Sequence, residues 1–251
     1  AHRTSAEPQE WACERRSRTE SQQELDGGCT TVMSPVGGTD RRGPQIAGGK
    51  HTVRVAALAE RIGQKAGRTL VAPVVAYVPE GSTSPRTSHM RFAGTISIPN
   101  DVFEKLLSSA AESFRVQGFR LVVLLGDHGG YQAALRKVAD TLNPAWRRTG
   151  ARVVYVPDYY GVIPHQYADW LRQKGYGADV GKHADLSDTS LMLAVDPGMV
   201  RQQALRQGPA PTAAQGIYGG DPRRATAALG QAGLDMQVRA ALAAIEQARA
   251  P

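Results

Sequence analysis

Two short segments carry side chains that could do chemistry. Leu124-Leu125-Gly126-Asp127-His128-Gly129-Gly130-Tyr131 closes an apolar run with a carboxylate, an imidazole and two glycines. His183-Ala184-Asp185-Leu186-Ser187-Asp188-Thr189-Ser190 sets an imidazole and two carboxylates at the start of a helical stretch. Imidazole and carboxylate in one cleft form a ligand set for a divalent ion such as Zn or Mn. Such an ion lowers the pKa of a bound water toward neutrality and polarises a carbonyl, so the chemistry predicted is metal-assisted hydrolysis. The glycines after His128 let backbone pass close to an ion or substrate without a Cβ clash.

Open α/β sheets gather such groups at the carboxyl ends of their strands, and the hydrophobic pattern supplies the strands. Residues 29–36 are rich in β-branched side chains between glycine pairs and predict the first strand. Residues 69–78 and 120–125 are nearly continuous apolar runs, as expected of strands covered on both faces, and 151–156 predicts another. Val55, Leu58, Ala59 and Ile62 follow helical spacing within a helix over 51–65. Further helices are predicted over 101–117, 131–142, 166–174 and 189–195. A last helical region is predicted from 221 to about 248, with Gly230 and Gly233 marking a break. Residues 79–95 and 207–222 read as loops. Residues 1–28, rich in Arg, Glu, Ser and Gln, read as an arm and 29–251 as one domain. Strands alternating with helices predict an α/β fold, a three-layer α/β/α sandwich on a mostly parallel sheet.

The motifs resemble those of the creatininase family, creatinine amidohydrolases and their relatives. Gly126 to Tyr131 matches the family's Asn-Gly-His-Gly-Gly-Asn-like turn. His183 to Ser190 matches its His-Ala-x-x-x-Glu-Thr-Ser segment, and Phe92-Ala93-Gly94-Thr95 its Phe-Pro-Gly-Thr turn. Residues 35–45 match its first motif, Pro-x-Gly-x-x-Glu-Gln-His-Gly-Pro-His, with His51 at the position of a following Asp. The resemblance runs from about Thr30 to the end of the chain. It implies a metal-dependent amidohydrolase that cleaves a non-peptide, cyclic amide C–N bond with metal-activated water. It also implies a small-molecule substrate and a homo-oligomer, a hexamer or smaller.

Carried over residue by residue, the resemblance implies Asp40, His51, His128 and Asp188 as metal ligands, with His183 and Asp188 in catalysis. His183 would orient substrate or shuttle a proton. Arg42, Glu80, His89 and Tyr131 are expected at the substrate, the middle two in the loop that shapes the family's pocket. Asp40 replaces a Glu, which withdraws the carboxylate by about 1.5 Å; an Asx-turn role is the other reading. His51 stands where the family has a bridging Asp and could equally cap its helix. Asp188 could ligate, N-cap its helix, or do both. Asp127 and Asp185 are placed to accept an N–H from a ligand histidine. Arg42 stands at a family histidine and stays protonated, so it cannot ligate a cation. One tight metal site, Zn or Mn, is therefore expected. The altered first motif leaves a competing reading, a binding or assembly protein without the full metal site. A third reading uses Arg41 or Arg42 to hold a substrate carboxylate.

Composition narrows the class. The 251 residues are 41% hydrophobic, enough for one large core. No apolar run approaches the ~18 residues of a membrane span, so no membrane partner is expected. The formal charge of +7 is scattered rather than interleaved with aromatics, so no nucleic acid is expected. Cys13 and Cys29 lack metal-type spacing. The chain starts at Ala1, and a cytoplasmic and a periplasmic location are both carried forward.

Overall fold

The computed structural model describes residues 10–40, 43–207 and 212–250. Its sheet holds β1 (Thr31–Val36), β2 (Thr69–Val71), β3 (Leu121–Gly126) and β4 (Arg152–Tyr155). All pairs are parallel, in the order β2-β1-β3-β4. Thr31 lies in register with Thr69 on one side and Leu121 on the other.

The helices are α1 (Arg18–Asp26), α2 (Lys50–Ala66), α3 (Asn100–Gln117), α4 (Gln132–Trp146) and the short α5 (Pro157–Gly161) and α6 (Ala168–Leu171). They are followed by α7 (Leu186–Val195), α8 (Gln202–Gln207) and α9 (Ala227–Arg249). Alternation along the strands sends successive side chains to opposite faces. Met33, Val123 and Leu125 share one core with Val55, Leu58 and Ile62 of α2 and Val238, Ala241 and Ile245 of α9. Val32, Val122 and Leu124 share the other with Phe103 and Leu107 of α3 and Leu135 and Val138 of α4. Each fully buried side chain of this size contributes about 1.5–3 kcal/mol of transfer free energy. This is the three-layer α/β/α sandwich that the strand–helix alternation predicts. Among the described residues no helix is long and apolar enough to cross a membrane.

The segment before β1 is tied to this body. Trp11 enters the α2/α9 core, and the Val71 N–H donates to the Trp11 carbonyl at 2.8 Å. α1 starts in a capping box, the Ser17 N–H donating to the Glu20 carboxylate at 2.7 Å.

Three elements differ from the sequence reading. The apolar run over 69–78 is a strand only to Val71. Pro73 has no N–H to give a ladder, and pairing resumes only where the Val75 N–H donates to the Pro35 carbonyl. The helix over 166–174 is divided, with π turns at Ile163–Tyr167 and Arg172–Tyr176 flanking α6, and Gly175 closes it at φ 87°. α9 is unbroken at Gly230 and Gly233. Both glycines are contact points: a Cβ on Gly230 would collide with the Ser190 carbonyl of α7, and one on Gly233 would meet Leu191 and the Tyr167 ring.

Candidate metal centre

The carboxyl ends of the strands converge on one buried group. Asp40 follows β1, Glu80 and His89 lie in the loop after β2, and His128 sits two residues beyond β3. One donor atom from each lies within 4.8 Å of the others. The four are nearly solvent-free, at 0%, 2%, 3% and 6% exposure in that order. His89 Nδ1 lies 2.7 Å from Asp40 Oδ2 and 3.6 Å from Glu80 Oε2, and His128 Nδ1 lies 3.8 Å from the same Glu80 oxygen. Four ligands about 2.0–2.2 Å from one ion in a tetrahedral array stand about 3.4 Å apart, so the widest pair would close by about 1.4 Å and the 2.7 Å pair would open for this group to hold a divalent ion. The donor set, two carboxylates and two imidazoles, suits Zn or Mn.

The loop over 79–95 explains why Glu80 and His89 are inside. Its length and its Gly, Ser and Pro content suggest an exposed segment. It is instead folded over the strand ends by paired contacts. The Glu80 N–H donates to Ser97 Oγ (2.9 Å), the Ser97 hydroxyl to the Gly81 carbonyl (2.7 Å), and the Ile96 N–H to the Thr39 carbonyl (3.1 Å). Glu80 and His89, expected to meet substrate, therefore stand among the potential ligands.

His51, the second residue of α2, lies beside the group. Its Nδ1 is 2.7 Å from Asp127 Oδ2, which directs the other nitrogen toward Asp40 Oδ1 at 3.6 Å. That nitrogen, Nε2, is buried without a hydrogen-bond partner. A neutral His51 with Nδ1 donating to Asp127 would turn its Nε2 lone pair toward the group, where an ion could meet it, whereas a protonated His51 would pair with Asp40. The Gly130 N–H donates to His128 Nδ1 at 3.2 Å. Burial and the neighbouring His51 hold the His128 imidazole well below its ordinary pKa and keep it neutral, as ligation requires.

Asp188 is placed differently from the metal-ligand reading. Its Oδ2 accepts from Lys50 Nζ at 2.8 Å and from the Ala184 N–H at 3.1 Å, and its Oδ1 lies 3.2 Å from Arg54 Nη1. Nor does it cap α7; that cap is Asp185, which accepts from the Asp188 N–H at 2.9 Å and the Ser187 hydroxyl at 2.7 Å. Arg54 also grips Asp127, with Nη2 2.7 Å from Oδ2 and Nε 3.1 Å from Oδ1, and the Tyr159 hydroxyl donates to Asp127 Oδ1 at 3.0 Å. Lys50 and Arg54 are 1% and 2% exposed. Burial works against the Asp40 and Asp188 carboxylates, but Lys50 and His51, joined by Arg54 at Asp188, outweigh it and hold both pKa values well below the usual range. Burial likewise works against the Lys50 ammonium, and Asp188 and Asp40 overcome it and raise its pKa.

Lys50 and Arg54 escaped the sequence reading. A signal was available: 50, 54, 58 and 62 form one i+4 row on α2, and Leu58 and Ile62 on that row are core residues. Charged residues that extend a buried row must find buried partners.

The other expected site residues fall into three situations. His183 is half-buried at the mouth of the group, its ring centroid 5.9 Å from that of His89 and 6.1 Å from that of His128. It also lines a groove of about 750 Å³ with Tyr160, Ile163, Val180, Lys182 and Tyr218. Tyr131 belongs to the core rather than to a substrate surface. It is 0% exposed, packs on Phe103 and donates its hydroxyl to the Val36 carbonyl at 3.1 Å. Arg42, with Arg41, lies outside the described residues.

Sheet, layers and buried group together define a parallel α/β protein with a candidate metal centre at the carboxyl ends of its strands. The chain belongs to the creatininase family, whose creatinine amidohydrolase model matches residues 15–245. It is 30% identical over 234 residues to the mycofactocin precursor peptide peptidase of Mycolicibacterium smegmatis, covering 85% of this chain and 83% of that one. It is 27% identical over 185 residues to the 3-dehydro-scyllo-inosose hydrolase of Thermotoga maritima, covering 70% of this chain and about half, 53%, of that one. The fold is similar to crystalline creatininase, with a TM-score of 0.79 at 20% identity over 97% of this chain and 100% of that one. Forms of creatininase with that fold include a Mn form and a variant of Zn–Zn type.

Proposed function

We propose that the protein is a metal-dependent amidohydrolase in which Asp40, Glu80, His89 and His128 hold one divalent ion, Zn or Mn. The observation that carries this reading is the convergence of two buried carboxylates and two buried imidazoles within 4.8 Å. An ion bound there would supply a water activated near neutral pH and would polarise a carbonyl. The chain's own residues do the rest. Asp127 orients His51 through its Nδ1, and Arg54 and Tyr159 fix Asp127. His183, at the mouth, stands where it can take a proton from the attacking water and return it to the departing nitrogen. The covering loop over 79–95 keeps bulk water from the ligands.

The substrate in this reading is a small molecule with a cyclic amide, as the family resemblance implies. A second reading, a linear peptide-like amide, is favoured by the groove beside His183. At about 750 Å³ it falls in the range of sites for drug-sized ligands, and a relative is named for a precursor peptide.

Elemental analysis of protein purified without chelator or affinity tag tests the metal. One equivalent of Zn or Mn is expected, with amide hydrolysis lost on chelation and restored by the ion. Folded protein that binds neither ion would refute the reading in favour of a binding or assembly role. Cyclic and linear amides assayed side by side separate the two substrate classes.

A further inference from the structure

Lys50 and Arg54 are buried cations that metal ligation by the Asp40 group leaves unused. Asp188 occupies the position at which the resemblance implies a metal-ligand carboxylate, yet both its oxygens are engaged. Oδ2 has the Lys50 ammonium at 2.8 Å and Oδ1 the Arg54 guanidinium at 3.2 Å. The Lys50 side chain is only 2% exposed, so its charge has no solvent to fall back on. On the other side of His51, the Nε2 atom faces Asp40 Oδ1 at 3.6 Å. Arg54 links Asp188 to His51, with Nη1 3.2 Å from Asp188 Oδ1 and Nη2 3.2 Å from His51 Nδ1, and His51 in turn faces Asp40 of the group that could hold an ion; a creatininase of Zn–Zn type has a similar fold. A compact ammonium in hydrogen-bonding contact with Asp188 offers a carboxylate what a divalent ion would, a cation at close range.

We propose that Lys50 is a built-in cation that takes the place of a second metal ion, with Asp188 as its counter-ion and Arg54 as the brace of that carboxylate. The centre is mononuclear because the second position is filled by the protein itself. Lys50 is then a positioning residue: it fixes Asp188 and sets the field at Asp40 without touching the reacting atoms. A burial argument agrees. A lone ammonium or carboxylate in this place would be costly, whereas the pair satisfies both, and removing one partner leaves a buried charge that must find another.

This inference rests on reading the Asp40 group as a metal centre, and the test separates the two. Wild-type protein, Lys50→Ala and Lys50→Arg are dialysed against excess Mn²⁺ or Zn²⁺, and bound metal is counted by elemental analysis. The Mn²⁺-loaded forms are also examined by electron paramagnetic resonance. The wild type and Lys50→Arg should hold one equivalent, with the signal of an isolated ion. Lys50→Ala should hold two, with the signal of a coupled pair, because Asp188 Oδ2 loses its ammonium and can join His51 and a shared Asp40 as ligands. Should Lys50→Ala fail to fold, Asp188→Asn decides the matter. It should keep one equivalent with affinity within about tenfold of wild type, the smaller end of the effects seen for groups outside the ligand shell; loss of the metal would show Asp188 to be a ligand and overturn the proposal. A wild type without metal would overturn the centre and this inference together. One equivalent in both the wild type and a folded Lys50→Ala, or two in the wild type, would overturn this inference and leave the centre standing.

Discussion

Asp127 is the place to test how the site is held in shape. It is 0% exposed, and its carboxylate receives Arg54 through Nε at 2.9 Å and Nη2 at 2.7 Å, His51 Nδ1 at 2.7 Å and the Tyr159 hydroxyl at 3.0 Å. Asp127→Ala removes all of these at once and leaves the Arg54 guanidinium with Asp188 at 3.2 Å as its remaining carboxylate. Breaking a buried pair by deleting one partner costs about 3–5 kcal/mol. For a chain of 251 residues, each kcal/mol moves the melting temperature by about 2–4 °C, so a drop of about 6–20 °C is expected. Tyr159→Phe deletes one donor to the same carboxylate and should cost about 1.5–3 kcal/mol. Scanning calorimetry of chelator-treated protein measures both without any contribution from bound metal. The Asp127→Ala protein, reloaded, should still take up one equivalent, since Asp127 is not among the four converging side chains. A loss below about 1 kcal/mol would refute the buried-hub reasoning, because Arg54 would then have found water or another partner at little cost.

Glu80→Gln and His89→Ala should each weaken metal binding by more than about 100-fold, beyond the usual effect of groups that only support ligands; equilibrium dialysis showing unchanged affinity would remove either residue from the centre. The carboxyl pKa values of Asp40 and Asp188 lie below their unfolded values, so the stability they add is complete above the unfolded value of about 3.9 and is lost as pH falls through the folded values. The raised Lys50 pKa adds stability that is complete below about pH 10.4 and is lost as pH rises through the folded value. Melting temperature of the metal-free protein should therefore fall at both ends, and Asp188→Asn should flatten both limbs; a variant with wild-type slopes would contradict the pairing. We also propose a homo-oligomer of up to six copies, for which the exposed Tyr77 (59%) and Val116 (66%) are candidate contacts; a monomeric mass by light scattering at micromolar concentration would reject it.

Much of the fold is legible in the residues because local rules suffice. The β-branched stretch of β1 and the apolar run of β3 read as strands covered on both faces, and the row through Val55, Leu58 and Ile62 reads as a helix against a sheet. The neighbourhood of Asp40 and His128 is legible for the same reason, since each follows such a strand. Glu80 and His89 are not, because their burial depends on Ser97 and Thr39 holding a loop that by itself looks solvated. Asp185 and Asp188 illustrate a different limit. Either could cap α7 by type, and the choice turns on Lys50 and Arg54, more than 130 residues away in the chain. Gly230 and Gly233 look like helix breakers because a propensity scale sees only the missing side chain, whereas the neighbouring helix uses the space it leaves.

That close approach of α9 to α7 has a consequence for sequence tolerance. α7 carries Asp188, while α9 contributes no side chain to the buried group, and the two helices meet where the Gly230 backbone passes the Ser190 carbonyl. A survey of all substitutions scored by activity in cells would rank Gly230 beside His128. The reasons would differ: His128 variants would accumulate as inactive protein, whereas Gly230 variants would be depleted by quality control before their chemistry could be judged. Measuring abundance alongside activity would divide the intolerant positions into those that make the site and those that only hold it still.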